Sequence, residues 1–272
     1  MVADETDGWR NLFRSKVLTA GHCIKGSWLL SWLPLDVVAG AHDMFEYGPH
    51  AQVVNVDKRI AHPLFKGDIG PNDIAVLKTR TPLKFSKQIQ PIRLPSKDLK
   101  YEAILNKVTL IGWGLLRTSF WPDIPRKLQE VELPLLPYED CYRAVEQILD
   151  PGEANPLNEI SNICTGPLTG GLAACSGDSG GPLVNYQPNT RIEEKDLMSK
   201  VGIMEGSTVE TDCKQEDNTC ILQGKKYTDT LYPVLIGVVS WGTSPCADEG
   251  APTVYTKVSR YLDFIDSHIN LK

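Results

Sequence analysis

Residues 172–184 read LAACSGDSGGPLV, a serine set among glycines at 177, 180 and 181. Glycine on both sides describes a tight backbone whose N–H groups are free to point at a ligand. The apolar Leu183–Val184 that follow Pro182 read as the start of a strand, so the serine sits on a turn leading into a sheet.

Outward from that turn the chain is strand-like almost throughout. DIAVLK, VTLIGWG, PVLIGVVSWG and PTVYTKV are short β-branched or aromatic runs bounded by turn residues. AQVVNVDKRI places apolar side chains at Val54 and Val56 and then loses the alternation. Nineteen prolines and 22 glycines, dispersed along the chain, suit an all-β body of many short strands. Two segments read as helices. In PYEDCYRAVEQIL, apolar Val145, Ile148 and Leu149 follow an acidic first turn. At the end, Val258, Leu262, Ile265 and Ile269 share one face at 3.6-residue spacing, predicting a terminal helix over about 257–270.

The chain has 272 residues, 42% of them hydrophobic and 23% charged, which fits a globular protein with a sizeable core. Its formal charge of −6 argues against a nucleic acid or an anionic membrane as partner. No apolar run is long enough to span a bilayer. The first fifteen residues lack the basic and apolar regions of a secretory leader. Seven cysteines are an odd number, so at least one has no partner within the chain. No CxxC occurs and only Cys23 adjoins a histidine, which leaves no zinc-site spacing.

Taken alone, GDSGG also fits the G-x-S-x-G elbow of α/β-hydrolases, which needs a strand before the serine and a helix after it. The strand after Pro182 and the lack of βαβ alternation weigh against that reading. The serine motif has company. TAGHC around His22, NDIAVLK around Asp73, CSGDSGGPL around Ser179 and SWG at 240–242 occur in one order along the chain. Together they resemble the chymotrypsin-like serine proteases, from about Val17 to the terminal helix.

The resemblance implies two Greek-key antiparallel β-barrels with a C-terminal α-helix. The first barrel, over 1–98 and incomplete, carries His22 and Asp73. The second, over 99–272, carries Ser179 and a long polar insertion at about 187–230. It also implies roles: Ser179 as nucleophile, His22 as the base that takes its proton, and Asp73 as the group that orients the imidazole. Backbone N–H groups of Gly177 and Ser179 would receive the oxyanion. Ser240 would hydrogen-bond the aspartate, while Trp241 and Gly242 would pair with substrate backbone. The other four histidines read as surface or packing residues. No cofactor and no metal are implied; Ala41 stands where the family's calcium loop carries a carboxylate.

Specificity follows from a few positions. Ala173, followed by Ala174, stands where an aspartate selects Lys or Arg, so a cationic side chain would be buried without a counter-charge. Gly242 leaves the pocket mouth open and Thr253 narrows its interior, which implies medium apolar residues such as Leu, Met or Ala before the scissile bond. The implied disulfides are Cys141–Cys164 and Cys175–Cys246; Cys213 and Cys220 have no counterpart and are paired by proximity. Cys23 is then left over. The implied partners are protein or peptide substrates and protein protease inhibitors, for a secreted monomer.

One feature of the pattern is missing. The family's new N-terminus, whose ammonium pairs with the aspartate before the nucleophile, has no counterpart ahead of His22. The expectation is a sequence truncated or mis-started at its N-terminus, with Asp178 unpaired and the oxyanion loop zymogen-like. A catalytically impaired homologue, acting as a binding or regulatory protein, is the alternative on that ground.

Overall fold

The structure, a computed structural model, describes residues 14–25, 33–99, 108–118, 121–188, 212–214, 219–222, 225–228 and 231–269. It divides into two compact units, one of residues 1–185 with 235–272 and one of residues 186–234.

In the larger unit, β1 (Lys16–Thr19) leads into a single helical turn, α1 (His22–Lys25). β2 (Asp36–Ala39), β3 (Gln52–Ala61) and β4 (Ala75–Thr79) follow, and the four strands form an antiparallel sheet in the order β1-β4-β3-β2. β4 lies between two neighbours and buries Ala75, Val76, Leu77 and Thr79. In β3 the inward positions Val54 and Val56 alternate with exposed ones until the register shifts between Val56 and Lys58. That bulge is where the sequence alternation breaks, because an extra residue turns every later side chain to the other face. Val17, Val38, Leu83 and Ile89 line an apolar cavity of about 430 Å³ against this sheet.

The next elements are β5 (Val108–Gly112), β6 (Gln129–Leu133), β7 (Leu135–Leu136), α2 (Tyr138–Ile148), β8 (Asn162–Thr165) and β9 (Pro182–Pro188). After the smaller unit's strands β10 (Asp212–Lys214), β11 (Thr219–Leu222) and β12 (Lys225–Thr228) come β13 (Leu231–Trp241) and β14 (Thr253–Lys257). Strands β5–β9, β13 and β14 make a seven-stranded sheet in the order β6-β5-β9-β13-β14-β8-β7, with antiparallel pairing. A 3₁₀ turn (Val258–Tyr261) runs into α3 (Leu262–Ile269) and ends the described chain. The fold is therefore all-β: two curled, barrel-like antiparallel sheets with few helices and a short C-terminal one.

The core joins the two sheets through the tail. Ile74 and Val76 from the first sheet, Leu235 and Val238 from β13, and Val258, Tyr261, Phe264 and Ile265 form one buried cluster. Val258, Leu262 and Ile265 are all buried, as the 3.6-residue spacing predicts, and the Ile269 side chain lies outside the described residues. In α2 the inward residues are Cys141, Ala144 and Val145, whereas Ile148 is exposed. The anchor of that helix is covalent, since Cys141 is disulfide-bonded to Cys164 on β8. A second disulfide, Cys175–Cys246, ties the serine loop to the loop after β13.

In the smaller unit, β10, β11 and β12 form a three-stranded antiparallel sheet in which Cys213 and Cys220 are cross-strand backbone partners. Their side chains, and most of the insertion at 187–230, lie outside the described residues. Truncating Ile265 to Ala, at the shared core, should cost about 2–5 kcal/mol of stability, read as a lower denaturant midpoint. An unchanged midpoint would mean that the two sheets do not depend on this cluster.

Candidate active site

Asp73 is 3% exposed and sits in a tight turn in which the Ile74 N–H donates to the Asn72 carbonyl at 2.8 Å. Asn72 has φ +69°, a left-handed conformation that asparagine adopts more readily than most residues. Its N–H donates to the Tyr261 hydroxyl at 2.9 Å, so the C-terminal turn holds the approach to the aspartate.

Four groups then fix Asp73. The His22 backbone N–H donates to Oδ1 at 2.8 Å, and His22 Nδ1 lies 2.7 Å from Oδ2. The Ser240 hydroxyl donates to Oδ2 at 2.6 Å, and the Thr256 hydroxyl donates to the Asp73 main-chain carbonyl at 2.6 Å. Ser240 reaches the carboxylate because it is the extra residue of a bulge. The β13–β14 register pairs Val239 with Tyr255 and Trp241 with Val254, leaving Ser240 unopposed. A bulged residue is re-aimed out of the ladder.

His22 opens α1, one turn closed by the Ile24 and Lys25 N–H groups donating to the Gly21 carbonyl. Its ring is about one-third exposed, with Nδ1 on Asp73 and Nε2 facing the Cys23 sulfur at 3.7 Å. The hydrogen bond to Asp73 and then that to Cys23 push its pKa up from 6.5 to about 10.

The serine loop is held by Asp178. Its carboxylate accepts the Gly114 N–H at 2.8 Å and the Cys175 N–H at 3.0 Å. A Cβ at Gly112 or Gly114 would overlap that carboxylate, so both positions need glycine for close approach. Asp178, Gly180 and Gly181 donate their own N–H groups to main-chain carbonyls. Among the described residues, the N–H groups of Gly177 and Ser179 have no such acceptor. Gly177 has φ +102° and Ser179 is exposed. Gly180 abuts the histidine segment: a Cβ there would lie 3.1 Å from Ala20 N and 3.2 Å from Cys23 Sγ. Ser179 and His22 thus belong to adjoining loops, and no hydrogen bond joins their side chains.

Beside the serine loop, Thr253 is buried and its hydroxyl accepts the Ala174 N–H at 3.1 Å. Ala174 is buried and Ala173 partly so. At Gly242 a Cβ would meet only the Pro252 carbonyl, at 4.0 Å, so the fold leaves open space there. Trp241 packs against the cluster around the Cys141–Cys164 disulfide.

The remaining histidines lie elsewhere. His62 packs edge-on against Tyr261 and Phe264, and burial lowers its pKa. His268 Nδ1 meets the Phe264 carbonyl at 2.7 Å. Arg126, just ahead of β6, spans Asp43 and Glu46 of the loop after β2 at 2.5 and 2.7 Å. No group of three or more metal-ligating side chains occurs among the described residues, and no described helix is long and apolar enough to cross a membrane.

Sequence reasoning overlooked Asn72, Thr256, Tyr261, Gly112 and Gly114. The Asn-Asp pair was the available signal for the first; the others act through long-range contacts that no local pattern records.

A family model described as Trypsin matches residues 12–217 and 221–265. Trypsin-1 of Astacus astacus is 32% identical over 254 residues, which cover 92% of this chain and 82% of that protein. Proclotting enzyme of Tachypleus tridentatus is 31% identical over 261 residues, 93% of this chain and 56% of that protein. Ovochymase of Halocynthia roretzi is 29% identical over 258 residues, 94% of this chain but 13% of that protein. The chain thus spans most of the first relative and only part of the other two.

Two outcomes follow from this geometry. Replacing Cys23 by Ala removes one of the two hydrogen bonds that hold the ring protonated, so His22 should titrate at lower pH by NMR. An unmoved titration would mean that the sulfur takes no part. Because the folded pKa lies above the unfolded value, the ring's contribution to stability is full below pH 6.5 and is lost as pH climbs through about 10. Separately, Gly114→Ala should destabilise the chain by roughly 1–3 kcal/mol through overlap with Asp178, seen as a lower melting temperature.

Proposed function

The chain belongs to the trypsin family of serine endopeptidases, and on that premise we propose that Ser179, His22 and Asp73 carry out peptide-bond hydrolysis through an acyl-enzyme. The observation that carries the reading is the buried Asp73 bonded to His22 and Ser240, beside a serine loop in which the Gly177 and Ser179 amides have no acceptor among the described residues.

The steps follow from those groups. Ser179 Oγ attacks the scissile carbonyl carbon while its proton passes to His22 Nε2. Asp73, buried, holds Nδ1–H and stabilises the imidazolium that forms. The oxyanion takes hydrogen bonds from Gly177 and Ser179 N–H, a contribution of about 3–4 kcal/mol per donor in comparable sites. The tetrahedral intermediate then expels the amine, which takes the proton from Nε2. Water repeats the sequence on the ester and restores Ser179. For the first step, His22 must lose its proton and turn Nε2 from Cys23 to Ser179.

The side chain before the scissile bond is medium-sized and apolar, such as Leu, Met or Ala. Ala173 supplies no counter-charge, Thr253 narrows the pocket with its hydroxyl already used by Ala174, and Gly242 leaves the entrance open. The same reading takes protein or peptide substrates, with protein protease inhibitors as further partners of a secreted monomer.

A fluorophosphonate probe should label Ser179, and His22→Ala should slow that labelling by about a hundredfold or more. Absence of an adduct on Ser179 would instead favour a homologue that binds without cutting. In a peptide panel, cleavage after Leu, Met or Ala should exceed cleavage after Arg; fast cleavage after Arg would overturn the assigned pocket. Gly242→Val, which the fold has room for, should abolish cleavage after Leu and Met while sparing Ala.

A further inference from the structure

Tyr261 closes the 3₁₀ turn before α3 and is 4% exposed, its ring packed in the cluster that joins the two sheets. The His62 ring meets it edge-on at 5.2 Å. A hydroxyl on so fixed a ring has little freedom, and burial obliges it to find partners. It finds both in one residue. The hydroxyl oxygen accepts the Asn72 N–H at 2.9 Å, and its proton goes to Asn72 Oδ1 at 3.3 Å. Main chain and side chain of Asn72 are thereby pinned to one point, 189 residues away in sequence.

Asn72 is the residue through which the chain enters Asp73. At φ +69° it stands in a region that costs an L-residue energy and persists where the surroundings over-determine it. Its carbonyl accepts the Ile74 N–H at 2.8 Å, so Asp73 is the central residue of a three-residue turn. On the far side, the Thr256 hydroxyl holds the Asp73 carbonyl at 2.6 Å. The carboxylate therefore leaves a backbone gripped before and after it, and Oδ2 reaches His22 Nδ1 at 2.7 Å.

We propose that Tyr261 is a positioning residue for the Asp73–His22 pair: its hydroxyl keeps Asn72 left-handed, and that conformation aims the carboxylate at Nδ1. Without the hydroxyl, the Asn72 N–H and Oδ1 lose their shared partner, and φ at 72 returns toward the negative values that L-residues prefer. That rotation carries Asp73 with it, against the bonds from Ser240 and Thr256, and lengthens the contact with Nδ1. The partners of Tyr261 do not include Ala173, Thr253 or Gly242, so the effect falls on turnover rather than on substrate binding. The effect on turnover rests on the proposed parts of His22 and Asp73 in peptide-bond hydrolysis; the aiming of the carboxylate does not.

The test uses the full chain, folded with its disulfides intact and isotope-labelled at histidine. A proton held between a ring nitrogen and a carboxylate is strongly deshielded, so His22 Nδ1–H should give a low-field NMR resonance. Tyr261→Phe should shift that resonance upfield or broaden it away while the chain stays folded. For a leucyl peptide substrate, kcat should fall about tenfold or more and KM should hold. Asn72→Gly, which takes positive φ freely, should keep the resonance, and Asn72→Ala should lose it as Tyr261→Phe does. Ser161 also approaches the hydroxyl, and Ser161→Ala should leave the resonance unmoved. A folded Tyr261→Phe chain with a lower denaturant midpoint and an unchanged resonance would mean a merely structural tyrosine and overturn the proposal. So would an unchanged kcat, equal losses from Asn72→Gly and Asn72→Ala, loss of the resonance in Ser161→Ala, or an intact chain that lacks it. If Tyr261→Phe does not fold, the Asn72 pair decides. If Ser179 takes up fluorophosphonate in no form of the chain, the endopeptidase reading fails, and the resonances still decide the role of Tyr261.

Discussion

A carboxylate that is 3% exposed must be surrounded by donors, and satisfying Asp73 organises the rest of the molecule. Its hydrogen bonds come from His22 after β1, from Ser240 on β13 and, to its main chain, from Thr256 on β14. No single sheet could supply them all. The two sheets and the C-terminal turn that packs against both are therefore held to one another by an ionic group as well as by the apolar cluster around Ile74 and Ile265.

Asp178 repeats the principle on a smaller scale. Two backbone N–H groups receive its carboxylate, and glycines at 112 and 114 clear the space it occupies. The Cys175–Cys246 disulfide closes the same loop from the other side. With Asp178, Gly180 and Gly181 bonded to carbonyls, the amides of Gly177 and Ser179, like that of Ser176, have no acceptor among the described residues. The expectation of a zymogen-like loop rested on an uncompensated charge. The Asp178 carboxylate meets two backbone N–H groups, so the partners seen among the described residues are neutral donors.

The fold was legible because its signals are local: β-branched runs bounded by Gly and Pro, and an apolar face on the last helix. The candidate site was legible only through the order of four short motifs, since a lone histidine or aspartate carries no such information. What stayed hidden depends on register and on contacts far apart in the chain. The bulge that frees Ser240 is invisible in the run VVSWG, and the conformation of Asn72 is hinted at only by the residue type. Cys23 was counted as the odd cysteine, yet nothing in the order of residues says that its sulfur turns toward the ring of its neighbour. Ile148 belonged to the predicted apolar face of α2 and is exposed, whereas Leu149 beside it packs against the cluster around Cys141.

The bonds that complete Asp73 also carry a kinetic meaning. Ser240 is 167 residues from it in the chain, and Thr256 is 183 residues away. Contacts of that span carry the loop-closure entropy of well over half the chain. A molecule with its first sheet built and β13 and β14 still to arrive has an aspartate without its two hydroxyl donors. Full satisfaction of a single buried carboxylate is thus tied to the completion of both sheets.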